Sequence, residues 1–255
     1  MINEHLSFDD SENIVKNFQD LEGRLNDLLR IPSSAVLFLQ SMGSVALVGG
    51  AIRDVALGGI SSFRSDFDFV IYDCDTEDFR RKMNDIHSTP NRFGGFKIHG
   101  FSADVDVWHL EDTWANRQGL VKVNGVEDIL KCTFFNWDAV VFDIRNRKIH
   151  SSFDYIDVLR SRVLDINLEE NPNKAGALVR AIRRAVCWNA LFGPKLTRFA
   201  LECLCSMRWD DLVDLDRKSY PSEAVLCLLS AEKIIENLMK NVEGQPGVTR
   251  PVHGL

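Results

Sequence analysis

The sequence predicts an α+β protein: a mixed head of strands and helices over 35–150, then a small all-helical domain over 151–243. Three observations carry that expectation. Compact strand-like runs, Val45 to Val48 and Phe67 to Tyr72, alternate with helical segments up to about residue 150, after which helical periodicity takes over. The glycine pairs Gly49-Gly50 and Gly58-Gly59 punctuate the first strand-helix-strand unit. An apolar content of 45% in 255 residues suffices for one substantial core and a smaller helical extension.

From the N-terminus, Asp10 to Arg30 carries Ile14, Phe18, Leu21, Leu25 and Leu28 at helical spacing, the amphipathic helix of an N-terminal arm over 1–34. Ala35 to Gln40 reads as a short helix, Val45 to Val48 as a strand running into Gly49-Gly50, and Ala51 to Leu57 as a helix stopped at Gly58-Gly59. Phe67 to Tyr72 is the next strand. Thr76, with Glu77 and Asp78 where the helix dipole favours acids, opens a helix through His87. Gly94 to His99 and Ala103 to Leu110 form a hairpin around Gly100, and Phe134 to Ile144 and Lys148 to His150 are further strands. The second domain is expected to hold helices over Tyr155 to Leu159, Lys174 to Leu191, Pro194 to Met207 and Ser222 to Asn241. The segment 244–255, with Pro246, Gly247 and Pro251, lacks periodicity and reads as a flexible tail.

Composition narrows the function. A net charge of −7 argues against a chain that coats nucleic acid by overall charge, so any polynucleotide contact must use a local patch. The six cysteines form no CxxC pair, no signal peptide precedes them, and Cys203 and Cys205 lack the histidines of a zinc clamp. Reduced thiols in a soluble, cytoplasmic protein fit this usage. No apolar run approaches the roughly 20 residues that cross a bilayer.

The chemistry is concentrated between Val45 and Tyr72. A strand delivers Gly49 and Gly50 to a helix start, where an absent Cβ lets backbone approach a ligand and free N–H groups suit a triphosphate. The next strand carries Asp66 and Asp68, two residues apart and therefore on one face. Two carboxylates near phosphates call for a cation between them, and oxygen ligands suit Mg²⁺ or Mn²⁺. A third acid would complete a two-metal site. Asp106, flanked by Val105 and Val107, is favoured for it, with Asp104 as the alternative. Taken singly, Asp-x-Asp is a common solvated strand edge and Gly-Gly a common turn. Their order and spacing, with an acidic strand downstream, form the signal.

At these residues the chain resembles a known family. Leu47-Val48-Gly49-Gly50-Ala51-Ile52-Arg53-Asp54 followed by Asp66-Phe67-Asp68 is similar to the head domain of class II CCA-adding enzymes and bacterial poly(A) polymerases, in the polymerase β-like nucleotidyltransferase superfamily. Lys131 to Asn136 resembles that family's Arg-Asp-Phe-Thr-Ile-Asn, Phe153 to Val163 its entry to the neck, and Leu178 to Arg183 its Leu-Arg-Ala-x-Arg neck segment. The resemblance spans residues 45 to 190 and implies a mixed-sheet head followed by a helical neck. It further implies that Gly49 and Gly50 hold phosphates and that Asp66 and Asp68 bind metal. Arg53 and Asp54 would organise the sugar and phosphate side of the pocket, with Asn136, Arg180 and Arg183 near the nucleotide. Arg180, Arg183 and Arg184 also fall on one helical face of a locally basic stretch, which could meet a triphosphate or an RNA end, or simply be solvated.

The departures are specific. The loop from Gly58 to Asp66 is long, Gly59 and Ala177 stand where the family has Arg, and Cys132 stands where it has Asp. The Glu-Asp-x-x-Arg base-selecting segment is missing after the neck. The expected activity is metal-dependent nucleotidyl transfer from an NTP such as ATP to a hydroxyl, an RNA or tRNA 3′ end first. A nucleotide-binding regulatory module with a protein partner, or a transferase acting on a protein or small molecule, are the alternatives.

Overall fold

The computed structural model describes residues 11–28, 33–59, 63, 65–91, 93–100, 105–244 and 249–252. It divides into two compact units. One holds the described residues up to Thr133 together with Trp137–Ile156, and the other Phe134–Asn136 and the described residues from Asp157 onward.

The first unit is built on a seven-stranded mixed sheet ordered β3-β4-β5-β2-β1-β6-β7. Its strands are β1 (Ser44–Val48), β2 (Phe67–Tyr72), β3 (Ser88–Pro90), β4 (Phe96–Ile98), β5 (Val105–His109), β6 (Val140–Asp143) and β7 (Lys148–Ser151). Within this sheet, among the described residues, β2 and β5 pair parallel and the other five pairings are antiparallel. Period-2 alternation sorts the side chains. Phe67, Phe69 and Ile71 of β2 and Val105 and Val107 of β5 are buried on one face. Helix α3 (Gly50–Gly58) packs on β1 and β2, and α4 (Thr76–Asn84) sets Phe79 edge-on to Phe96 of β4 at 5.8 Å. On the opposite face, Ala46, Val70 and Val141 are sealed by Leu110, Val126 and Ile129, the latter two from a 3-10 turn over Val126–Cys132.

Helix α1 (Ser11–Leu28) packs against α3, burying Ile14 and Leu21, and Asn17 donates to the Ala56 carbonyl at 3.4 Å. A short α2 (Ser33–Gln40) leads into β1. Helix α4 opens at Thr76 as expected, capped by the Asp75 carboxylate, which accepts from the Asp78 N–H at 2.8 Å, and it ends at Asn84, short of the expected His87. The expected strand over 134–144 shortens to β6, because Asn136–Asp138 forms a 3-10 turn and Trp137, fully buried, breaks the alternation. A one-turn α5 (Trp114–Arg117) and α6 (Tyr155–Ser161) complete the early helices.

The second unit is helical apart from a two-stranded ribbon of β8 (Val163–Leu164) and β9 (Leu191–Phe192). Its helices are α7 (Lys174–Trp188), α8 (Pro194–Ser206), α9 (Trp209–Ser219) and α10 (Ala231–Gly244). Asn173 caps α7 by accepting from the Gly176 N–H at 3.1 Å, and Pro194 occupies the first turn of α8. Helix α9 is absent from the sequence expectation, its periodic Leu212, Val213 and Asp216 masked by five further charged residues. The helix expected from Ser222 starts at Ala231, after a 3-10 turn over Leu226–Leu228. Of the C-terminal tail, 245–248 and 253–255 lie outside the described residues. Thr249 exchanges backbone hydrogen bonds with Phe192 at 2.6 and 2.7 Å. Among the described residues no helix is long and apolar enough to cross a membrane. All six cysteines are free thiols.

Candidate functional site

The site begins where β1 ends. Val48 pairs with Asp68 across the β1-β2 ladder, so the glycine turn that follows β1 lies beside the start of β2. Gly49 takes φ +68°, and its N–H donates to the Val140 carbonyl at 2.8 Å. A Cβ on Gly50 would stand 2.7 Å from the Ser65 hydroxyl, so the turn and the 65–66 segment touch only because the side chain is absent.

Asp68 and Asp106 are register partners on the parallel strands β2 and β5 and therefore share one side of the sheet. Both are half-buried, while Asp66, just before β2, is exposed. The same face continues past Asp68 into Val70, where Val126 and Ile129 seal it. The acids thus occupy its more exposed end. Lys97 of β4 is the register partner of Asp106 on the other side, and its Nζ lies 2.8 Å from the Asp106 carboxylate. Nothing in the sequence pattern singled out Lys97: the hairpin of β4 with β5 is expected from the sequence, but not the register that sets Lys97 opposite Asp106. Asp104, the alternative third acid, lies outside the described residues. Among the described residues, no three His, Cys, Asp or Glu side chains are already gathered closely enough to hold a metal ion.

Arg53 and Asp54 lie beneath the turn, both buried. The Arg53 Nε donates to Asp54 Oδ1 at 3.0 Å, and a second guanidinium nitrogen meets Asp138. The other Asp54 oxygen accepts from the Ser65 N–H at 3.0 Å and the Ser65 hydroxyl at 2.7 Å. Burial by itself works against the charge on Arg53, but Asp54 and then Asp138 outweigh it and hold the guanidinium above its ordinary range. This charged cluster fastens α3 to the loop carrying Ser65 and Asp66. Asp138 and Ser65 are members that sequence reasoning missed.

The remaining candidates belong to the second unit. Asn136 donates through its Nδ2 to the Val163 carbonyl at 3.0 Å and accepts from the Asp165 N–H at 2.9 Å. The three arginines of α7 part company. Arg180 is exposed, Arg184 lies over the Phe135 ring at 4.5 Å, and Arg183 is buried. Arg183 donates to Asp216 Oδ1 at 3.0 Å and to the Glu223 carbonyl at 2.6 Å, with its guanidinium 3.7 Å above the Tyr220 ring. A shared basic face was expected; the buried carboxylate of Asp216, contributed by the unforeseen α9, draws Arg183 inward. A separate cavity of about 300 Å³ in the first unit is lined by Arg80, Asn91, Gly94, Asp112 and Arg117, and none of the strand acids reaches it.

The seven-stranded mixed sheet and its helices match the head fold of solved nucleotidyltransferases, here followed by a helical unit. Among solved structures, the chain is similar to a CCA-adding enzyme in complex with ATP, at 12% identity and a TM-score of 0.53, over 86% of this chain and 61% of that one. It is also similar to a tRNA-processing enzyme with CTP, at 14% identity and a TM-score of 0.52, over 82% of this chain and 57% of that one. The chain therefore spans about three-fifths of the length of these proteins. No protein-family model and no curated protein sequence matches it.

Proposed function

We propose that this protein is a metal-dependent nucleotidyltransferase that moves a nucleotidyl group from an NTP to a hydroxyl, with an RNA 3′ end of tRNA type as the acceptor. The observation that carries the reading is the register of Asp68 with Asp106, beside Val48 and the Gly49-Gly50 turn. Asp66 and Asp68 would hold Mg²⁺ or Mn²⁺, Asp106 would be the third acid of the face, and Gly49 and Gly50 would hold the triphosphate. The donor set fits such an ion, because carboxylate oxygens are the ligands hard divalent cations take. A cation bound there supplies neutralisation of the phosphates and of the attacking oxygen.

The chain's own contribution is positional. The acceptor hydroxyl gives up its proton to solvent as its oxygen attacks the α-phosphorus, the bond from that phosphorus to the α,β-bridging oxygen breaks, and pyrophosphate departs. Arg53, through Asp54, Asp138 and Ser65, keeps the turn and Asp66 in a fixed relation; it is a positioning residue. Of the candidates in the second unit, Arg180 is proposed to meet nucleotide or RNA phosphates by its exposed charge. The CCA-adding and tRNA-processing proteins of similar fold support the choice of NTP and RNA. The proposed division runs from an arm over 1–34 through a head to 150, a neck to 243 and a tail.

Incubation with labelled NTP, Mg²⁺ or Mn²⁺ and total RNA tests the reading, beside an Asp66→Ala/Asp68→Ala control. Equal transfer by both proteins would remove these acids from the chemistry. A second reading, an NTP-binding module without turnover, is favoured by the Lys97–Asp106 contact. Calorimetry with NTP and metal separates the two: binding without transfer selects the module.

A further inference from the structure

Lys97 stands at the centre of the β4-β5 ladder, directly across from Asp106. Its position on β4 places it on the same face as Asp106 and Asp68, since register partners share a side and β4 and β2 flank β5. The ammonium lies 2.8 Å from an Asp106 oxygen, with the lysine side chain about one-third exposed (35%) and the aspartate at 15%. An ion pair so far withdrawn from water is screened less than a surface pair, and each partner loses if the other is removed. The carboxylate that would otherwise complete a two-ion set is thereby occupied by a cation supplied by the chain itself.

We infer that Lys97 is a built-in counter-ion of the acidic site: it neutralises Asp106 and restricts the chain to a single divalent ion, held by Asp66 and Asp68. This rests on the nucleotidyltransferase reading of those two acids. Among the described residues, Asp66, Asp68 and Asp106 are the carboxylates offered to such ions, and two divalent ions would need the negative charge of all three. With Lys97 in place, one of the three is spent on an ammonium. Lys97 is therefore a positioning residue that sets metal number.

The inference is tested by Mn²⁺ binding to the full-length protein, with free Mn²⁺ followed by electron paramagnetic resonance, in the absence of nucleotide. Wild type should bind one Mn²⁺, and Asp66→Asn/Asp68→Asn should abolish it. Lys97→Met should add a second Mn²⁺ or tighten binding by roughly tenfold, the scale on which outer partners tune metal ligands. Asp106→Asn should cancel the gain in the Lys97→Met background, a coupling that a merely structural lysine would not produce. Lys97→Arg, which keeps the charge, should behave as wild type and controls for folding. Binding that depends on Asp66 and Asp68 but ignores Lys97→Met overturns this inference alone. Absence of any binding that depends on Asp66 and Asp68 overturns it together with the reading beneath it.

Discussion

Asp68 and Asp106 face the same side of one sheet because they are opposite residues on its parallel pair of strands, β2 and β5. Asp68→Asn keeps the size of the side chain, removes its charge and turns one acceptor oxygen into an N–H donor. Nucleotidyl transfer should fall by at least ~100-fold, the scale seen when one charge-stabilising group is lost from an active site. Far-UV circular dichroism should not change. Full activity in the variant would exclude Asp68 from the reaction.

Gly50 should be intolerant of a methyl group. A Cβ there meets the Ser65 hydroxyl at 2.7 Å and the Ser65 Cβ at 2.9 Å, and Ser65 is itself anchored to Asp54. Gly50→Ala is expected to cost about 1–3 kcal/mol, as overpacking does, and to lower the urea midpoint accordingly. An unchanged midpoint would mean that the Ser65 loop yields freely.

Arg183 and Arg180 should separate cleanly in a denaturation experiment. Arg183→Met strands the fully buried Asp216 without its cation, and breaking such a pair costs about 3–5 kcal/mol. Arg180→Met alters an exposed position and should stay within ~0.5 kcal/mol of wild type. If RNA binding is then measured, only the Arg180 variant reports on charge without a folding defect.

Thiol reactivity should sort by burial and pH. Burial, the main cause, pushes the Cys132 thiol up to about 11, so it stays neutral at pH 8. Exposed Cys205 and Cys227 should react with iodoacetamide first, and mass spectrometry should find Cys132 modified only as the pH approaches 11. Rapid labelling of Cys132 at pH 8 would contradict its placement.

Local signals made much of the head legible. The β1 run, the glycine turn, β2 and the acids are contiguous in sequence, and each is specified by short-range chemistry: branched residues, absent side chains, alternation. Helix α9 was not, because its core-facing Leu212, Val213 and Asp216 sit among charges, and a buried Asp216 is recognisable only once Arg183 is seen against it. The α7 arginines were misjudged as one face for the same reason. Helical spacing says which residues are neighbours, and only a partner helix says which of them is buried.

From its sequence alone, this protein shows the order of its elements, the glycine turn and the presence of Asp66, Asp68 and Asp106. These depend on residues within a few positions of one another, where backbone preference and periodicity decide. Only the tertiary structure decided that β2 and β5 run parallel in register, that Lys97 is brought against Asp106, and that Arg53 is locked to Asp138 across 85 positions of chain. Strand pairing joins residues distant in sequence through backbone hydrogen bonds that carry no side-chain signature, so the company each acid keeps is settled by the sheet and cannot be read along the chain.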